Sequence, residues 1–400
     1  MRPGWGLLAA LALTGLAMSG CTVQPPQTAT PTVPFSIAVP TGPGMALTAV
    51  PFSAVPGWTR DNIATAIPPL LHECAQLATL PSGASLGGDG LAAQLGGSAG
   101  QWRSLCAAAA TVPAGNDAAA RVMLERELQA YVVSDSGQVQ GLFTGYYEPQ
   151  VEGATRRGGR YQTPILRRPH DLVTGPMATG RRVGNRVVPY YDRAQIERGA
   201  LASQNLALLY VADPIDAFFL EIQGAGRVRL PDGQVVRVTY DGQNGWPYVP
   251  IGRLLIERGE LTREEVSLQT IRAWLVAHPA QAPALMDANP SYVFFTTLPE
   301  TPPDQGPPGW LGVALTPGRS LAVDQRFVPM GAPVFVATSN PLDNAPWQHL
   351  LFGQDKGGAI KGAVRGDVFF GWGAEAEAMA GRMKQHGTAF LLLPRAVPGA

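Results

Sequence analysis

The sequence is poor in charge, in histidine and in cysteine, and each shortage closes off a class of function. Of 400 residues only 15% are charged, 30 basic against 30 acidic, so the formal charge is zero. Nucleic-acid-binding domains carry a basic excess, and no nucleic-acid partner is expected. The five histidines, His72, His170, His278, His349 and His386, form no paired ligand motif, and no glycine-rich phosphate loop ending in lysine and Ser/Thr occurs. No metal and no cofactor are therefore expected. Gly224 and Gly226 in Gln223-Gly-Ala-Gly-Arg227 lack the third glycine and the following helix of a dinucleotide fingerprint. The apolar run Leu7 to Met18 is too short to span a bilayer comfortably. What is plentiful is glycine (47) and proline (37), which predicts many turns and a β-rich chain. The length exceeds one ordinary single-core domain, so one large composite domain or two are expected.

Arg2, the apolar run and the small residues before Cys21 have the pattern of a cleaved secretory signal over residues 1–20. Met18-Ser19-Gly20-Cys21 resembles a bacterial lipobox, in which Cys21 becomes the lipidated first residue. Thr22, not aspartate, follows it, which by resemblance to bacterial sorting signals favours the outer membrane. With Cys21 lipidated, Cys74 and Cys106 remain, and in an oxidising periplasm an even remainder reads as one structural disulfide. Residues 21–55, rich in Pro, Thr and Ala with almost no charge, read as a disordered tether.

Apolar spacing predicts helices over 70–80, 101–112 and 117–131, the last capped by Asn116. Strands are predicted over 142–147, 160–166, 207–211, 217–222 and 234–240, with Pro231-Asp232-Gly233 as a hairpin turn. A helix over 251–258 closes at Gly259, and Thr262 with Glu265 forms a capping box for a helix running through Ala277. Strand patterns return over 292–296, 312–315, 320–323, 334–337 and 390–393.

Chemistry concentrates in 354–373, QDKGGAIKGAVRGDVFFGWG, where Asp355 and Asp367 flank a glycine-rich turn carrying Lys361 and Arg365. Glycines allow close approach of a bulky ligand, and an aspartate beside apolar residues is a candidate for a raised pKa. Gly145-Tyr146-Tyr147-Glu148-Pro149 offers aromatic faces beside a carboxylate, which suits stacking on sugar rings or, equally, packing at a strand end. The residues alone do not separate the two loop carboxylates as acids.

GYYEP at 145–149, FFLEIQGAGRV at 218–228, YDGQNGWPYVPIGRLLIERGE at 240–260, NPSYVFF at 289–295, PGRSLAVD at 317–324 and DKGGAIKGAVRGD at 355–367 occur in that order. Together they resemble the membrane-bound lytic murein transglycosylase A family, and the terminal part resembles the three-aspartate domain, here Asp324, Asp355 and Asp367. The resemblance implies a mainly β fold with helices: a double-psi β-barrel and helical subregion from 56–149 and 289–400, interrupted by an inserted β-rich domain at 150–288, with a groove between. It implies non-hydrolytic cleavage of the MurNAc-β-1,4-GlcNAc bond of peptidoglycan to 1,6-anhydromuramic ends. Asp367 would be the single acid then base, with Asp355 and Asp324 in support. Tyr146, Tyr147, Glu148, Gln223, Asn244, Trp246 and Lys361 are the candidate substrate contacts. Expected partners are glycan strands and, through the lipid anchor, the outer membrane facing the periplasm, with cell-wall synthesis or division proteins as further candidates.

Overall fold

The computed structural model describes residues 44–175, 179–298, 302 and 305–395. The leader, Cys21 and the tether up to residue 43 lie outside them. From residue 45 the expected tether is instead strand. β1 (Met45–Val50) pairs antiparallel with β2 (Leu128–Asp135), which gives its apolar side chains a partner.

Between these strands lie α1 (Ile67–Ala78), α2 (Gly90–Gly96), α3 (Arg103–Ala109) and α4 (Asp117–Glu127). Cys74 on α1 and Cys106 on α3 are joined by a disulfide. The Asn116 side chain accepts from the Ala119 N–H and caps α4, but the helix predicted to reach Tyr131 stops at Glu127. Ala130, Tyr131 and Val132 pair on one side with β1 and on the other with the last strand of the chain. Tertiary pairing of β-branched residues wins over a local helical pattern.

β3 (Gly141–Glu148), β4 (Gln150–Ala154), β5 (Thr163–Leu166), β6 (Leu172–Thr174), β7 (Thr179–Val183), β8 (Arg186–Val188), α5 (Arg193–Glu197) and β9 (Ala207–Val211) follow. The strand predicted over 217–222 is helix, α6 (Pro214–Gln223). Asp213 caps it by accepting from the Ile215 N–H, Pro214 sits at its first turn, and Gly224 ends it at φ 76°. A short apolar run is ambiguous in period, and these flanking residues decide it. Next come β10 (Ala225–Arg229), β11 (Val235–Gln243), α7 (Ile251–Glu257), α8 (Leu268–Ala277), α9 (Ala282–Asp287) and β12 (Val293–Thr297). Thr262 and Glu265 do bond reciprocally, yet α8 starts later, on a capping box of Ser267 and Thr270. The stretch 312–315, predicted as strand, makes only an isolated bridge between Ala314 and Pro308. The chain ends with β13 (Ser320–Val323), β14 (Pro333–Ser339), β15 (Pro346–Asp355), β16 (Arg365–Trp372), α10 (Gly373–Arg382) and β17 (Lys384–Pro394).

The result is a mixed α/β chain with more strand than helix. One sheet runs β1-β2-β17-β14-β15-β13-β16-β3, and β3 also pairs with β17, so six of its strands close into a ring. A second sheet, β12-β11-β10-β4-β9-β5, and a third, β6-β7-β8, are built from residues between β3 and β13. On these strands Phe335, Phe352, Phe390, Leu350 and Leu391 are all fully buried, and Phe335 packs on Trp58 with ring centroids 5.6 Å apart.

Two buried carboxylates tie the helices to the ring. Asp61 is fully buried and accepts from Arg319 Nη1 and Nη2 at 2.8 and 2.9 Å, from the Leu350 N–H at 2.8 Å and from His349 Nδ1 at 2.9 Å. Glu73 of α1 is 1% exposed and accepts from Gln354 Nε2 at 3.0 Å, while Gln354 Oε1 accepts from Ser320 Oγ at 2.6 Å. These contacts fix the start of β13 and the end of β15, where Gln354 precedes Asp355.

Candidate active site

β3 and β16 run parallel, with Thr144 opposite Asp367 and Gly145 opposite Val368. Side chains alternate along a strand, so Thr144 and Tyr146 share one face of the sheet with Arg365, Asp367 and Phe369. Close approach to α10 requires Gly145: a Cβ there would lie 2.6 Å from the Phe370 ring and 2.9 Å from Ala380 Cα. Thr144 Oγ1 donates to Asp367 Oδ1 at 2.5 Å and accepts from Arg365 Nη2 at 2.8 Å. Tyr146 donates its phenol to Asp355 Oδ2 at 2.8 Å, and its ring packs on Phe369 with centroids 5.3 Å apart.

The three aspartates are in different electrostatic states. Burial would raise Asp324, but the Arg326 guanidinium and the N–H groups of Gly362 and Arg326 bring it down to about 2. Arg326 Nη2 lies 2.6 Å and the Gly362 N–H 3.0 Å from its Oδ2, so this carboxylate pins the glycine turn, where Gly362 holds φ 112°. Asp355 is pushed up to about 6 by burial, with the nearby Asp367 adding to the rise, against hydrogen bonds from Tyr146 and the N–H groups of Lys356 and Trp310. Asp367 is raised by burial, opposed by the charge of Arg365 and the Thr144 hydroxyl. Its Oδ2 has no hydrogen-bond partner among the described residues and is not sealed from solvent.

These residues line one side of a cavity of about 1020 Å³ whose other side comes from the second sheet and its helices, including Gln223, Tyr240 and Tyr248. Gln223 bridges the two sides by accepting from the Tyr147 N–H at 3.0 Å. Arg193 and Glu221, paired at 2.8 Å, line the cavity too.

Of the residues singled out from sequence, Asp324, Asp355, Asp367, Tyr146, Tyr147, Gln223 and Lys361 line the cavity, and Glu148, Asn244 and Trp246 do not. Glu148 is fully buried between Arg227 Nε at 2.9 Å and Arg237 Nε at 3.0 Å, and those two arginines use up its carboxylate. Asn244 is 1% exposed and spans loops, donating to the carbonyls of Tyr191 and Pro290 and accepting from the Tyr292 N–H. Trp246 donates its indole N–H to the Tyr190 carbonyl. Thr144, Tyr248 and the role of Arg365 escaped the sequence reading. Two-residue alternation from Tyr146 was the available signal for Thr144.

Two family models match the chain, the MltA specific insert domain over residues 142–296 and the 3D domain over 319–393. The membrane-bound lytic murein transglycosylase A of Vibrio cholerae is 36% identical over 267 residues, which span 64% of this chain and 67% of that one. The chain belongs to the membrane-bound lytic murein transglycosylase A family. It is an enzyme, a lytic transglycosylase. Among solved structures, the membrane-bound lytic murein transglycosylase from Agrobacterium tumefaciens superposes with TM-score 0.77 at 31% identity, covering 88% of this chain and 98% of that one. The Escherichia coli MltA with bound chitohexaose superposes with TM-score 0.61 at 27% identity, covering 90% and 96%. Relatives are named membrane-bound, while among the described residues no helix is long and apolar enough to cross a membrane.

Proposed function

We propose that this lytic transglycosylase cleaves the β-1,4 bond between N-acetylmuramic acid and N-acetylglucosamine in peptidoglycan without water. Asp367 protonates the leaving oxygen through Oδ2. As a carboxylate it then accepts the proton of the sugar's own C6 hydroxyl, whose oxygen closes onto C1 as the 1,6-anhydro ring. No carboxylate nucleophile is needed, because the attacking group belongs to the substrate. The observation that carries the assignment is the contrast among the aspartates. Asp324 is paired with Arg326, Asp355 accepts the Tyr146 phenol, and Asp367 combines a raised pKa with an oxygen that has no hydrogen-bond partner among the described residues.

Asp355, accepting the Tyr146 phenol, keeps negative charge near the sugar and repels a second charge on Asp367. Tyr146, Gln223 and Lys361 contact the glycan, a role supported by their position in the cavity and by the chitohexaose held by the Escherichia coli relative, whereas the Tyr147 ring, 6% exposed, packs on Ala376 and Ala380 of α10. We read the closed ring as a double-psi barrel, carried by 56–149 and 289–400, and 150–288 as the inserted domain. Cys21 carries the lipid anchor that holds the enzyme to the outer membrane on its periplasmic side, where wall-synthesis or division proteins are its partners.

Mass spectrometry of soluble products from purified sacculi tests the chemistry. Anhydro ends weigh one water less than hydrolysed ends, and reducing muramic ends alone would refute the mechanism. Asp367→Asn should abolish release, whereas Asp355→Asn should slow it. Wild-type rates from Asp367→Asn would remove that residue from catalysis. Loss of membrane fractionation in Cys21→Ser checks the anchor.

A further inference from the structure

We infer that Thr144 is a positioning residue that commits its hydroxyl proton to Oδ1 of Asp367 and thereby places the transferable proton on Oδ2, the oxygen facing the glycan. The inference rests on the reading of Asp367 as the acid.

A guanidinium donates and never accepts. Arg365 Nη2 lies 2.8 Å from Thr144 Oγ1, so the threonine oxygen is the acceptor there and its own hydrogen points elsewhere. The acceptor it meets is Asp367 Oδ1 at 2.5 Å. A carboxylic proton on Oδ1 would compete with that hydrogen for the same short gap, and the hydroxyl hydrogen would lose its acceptor. On Oδ2 the proton meets no such conflict, because no partner occupies that oxygen among the described residues.

Arg365 cannot easily turn away from this task. Its Nη1 donates to the Leu142 carbonyl at 3.2 Å and also to the Gly366 carbonyl, which pins the guanidinium against both strands. Nor does it form a direct ion pair with Asp367 among the described residues; the hydroxyl stands between them. A direct pair would hold the carboxyl ionised and useless as an acid. With the hydroxyl interposed, burial keeps the acid protonated before transfer, and the relayed donor stabilises the carboxylate that transfer creates. An acid that must next act as a base needs both conditions. Threonine suits the position further because its branched Cβ restricts χ1, holding the hydroxyl on line.

The test compares full-length wild type, Thr144→Val, Thr144→Ser and Asp367→Asn, following anhydro-product release from sacculi across pH and checking folding by thermal melting. For Thr144→Val we expect kcat to fall roughly 10- to 100-fold, the equivalent of one hydrogen bond to a charged group, with KM little changed. The alkaline limb of kcat should move to higher pH, because the carboxylate has lost a donor. Thr144→Ser should restore most of the rate and the wild-type limb. Should Thr144→Val fail to fold, Thr144→Ala removes the same hydroxyl, and its alkaline limb should also move up. An alkaline limb left at the wild-type pH in these variants, or one moved down, overturns the inference, as does a serine variant no better than valine. If Asp367→Asn is inactive while Thr144→Val keeps the wild-type profile, only the positioning role falls. Activity in Asp367→Asn removes the acid assignment itself.

Discussion

Replacing Glu73 by glutamine should stabilise the protein at alkaline pH and do little at acid pH. Burial raises this carboxyl from 4.5 to about 8, with the Gln354 amide only partly offsetting it. The folded value lies above the unfolded one, so between pH 4.5 and 8 the native state holds a proton that the unfolded chain has released. Stability therefore falls as pH rises through that window, and levels off once both states are ionised. Each pH unit between the two values is worth about 1.4 kcal/mol, which sets a ceiling of about 5 kcal/mol on the loss. Glutamine keeps the shape and the acceptor for Gln354 but never ionises. Urea midpoints followed by tryptophan fluorescence at pH 5, 6, 7, 8 and 9 would read the difference, since every other titrating group cancels between variant and wild type. The gap should be about 1 kcal/mol at pH 5 and grow to several kcal/mol by pH 8. A constant offset across the series, or a variant weaker than wild type at pH 8, refutes the reasoning.

Asp61 behaves in the opposite sense. Burial would raise it, but His349, Arg319 and the Leu350 N–H hold it at about 2, so it contributes stability above pH 3.8 that is lost as pH falls through 2. Asp61→Asn should cost about 3 kcal/mol at pH 7 by leaving Arg319 buried without its carboxylate, and the deficit in melting temperature should narrow toward pH 2. Opening the Cys74–Cys106 bridge, which closes a span of 32 residues, should lower stability by about 3–4 kcal/mol, read as a shift in urea midpoint in the Cys74→Ser/Cys106→Ser protein. Gly145→Ala drives a methyl into Phe370 and the α10 backbone, so it should cost about 1–3 kcal/mol in thermal unfolding and displace Thr144 and Tyr146, lowering kcat.

The aspartates were legible because each sits in a short run whose glycines and flanking residues carry its meaning locally. The start of α4 was legible for the same reason through its Asn116 cap, whereas α6, capped by Asp213, was read as strand. What was not legible depended on partners far along the chain. Glu148 looked like a groove residue because nothing near GYYEP announces that Arg227 and Arg237 will enclose it. β1 and the start of β2 looked like tether and helix because β1 finds its partner only in β2, and β2 its second partner only in β17 at the far end of the sequence. Thr144 is an unremarkable threonine in its own strand and acquires chemistry only beside Asp367, 223 residues away.

That separation has a biosynthetic consequence. β3 emerges early, but the strand that completes the site, β16, and the strand that closes the ring on β3, β17, come last, after both other sheets have been made. A partly synthesised or truncated chain thus holds Thr144 without Asp367, or Asp367 on an open sheet edge. Pairing over such distances is slow to form. The candidate site of this lytic transglycosylase is in this way assembled only after β16 and β17 have been made.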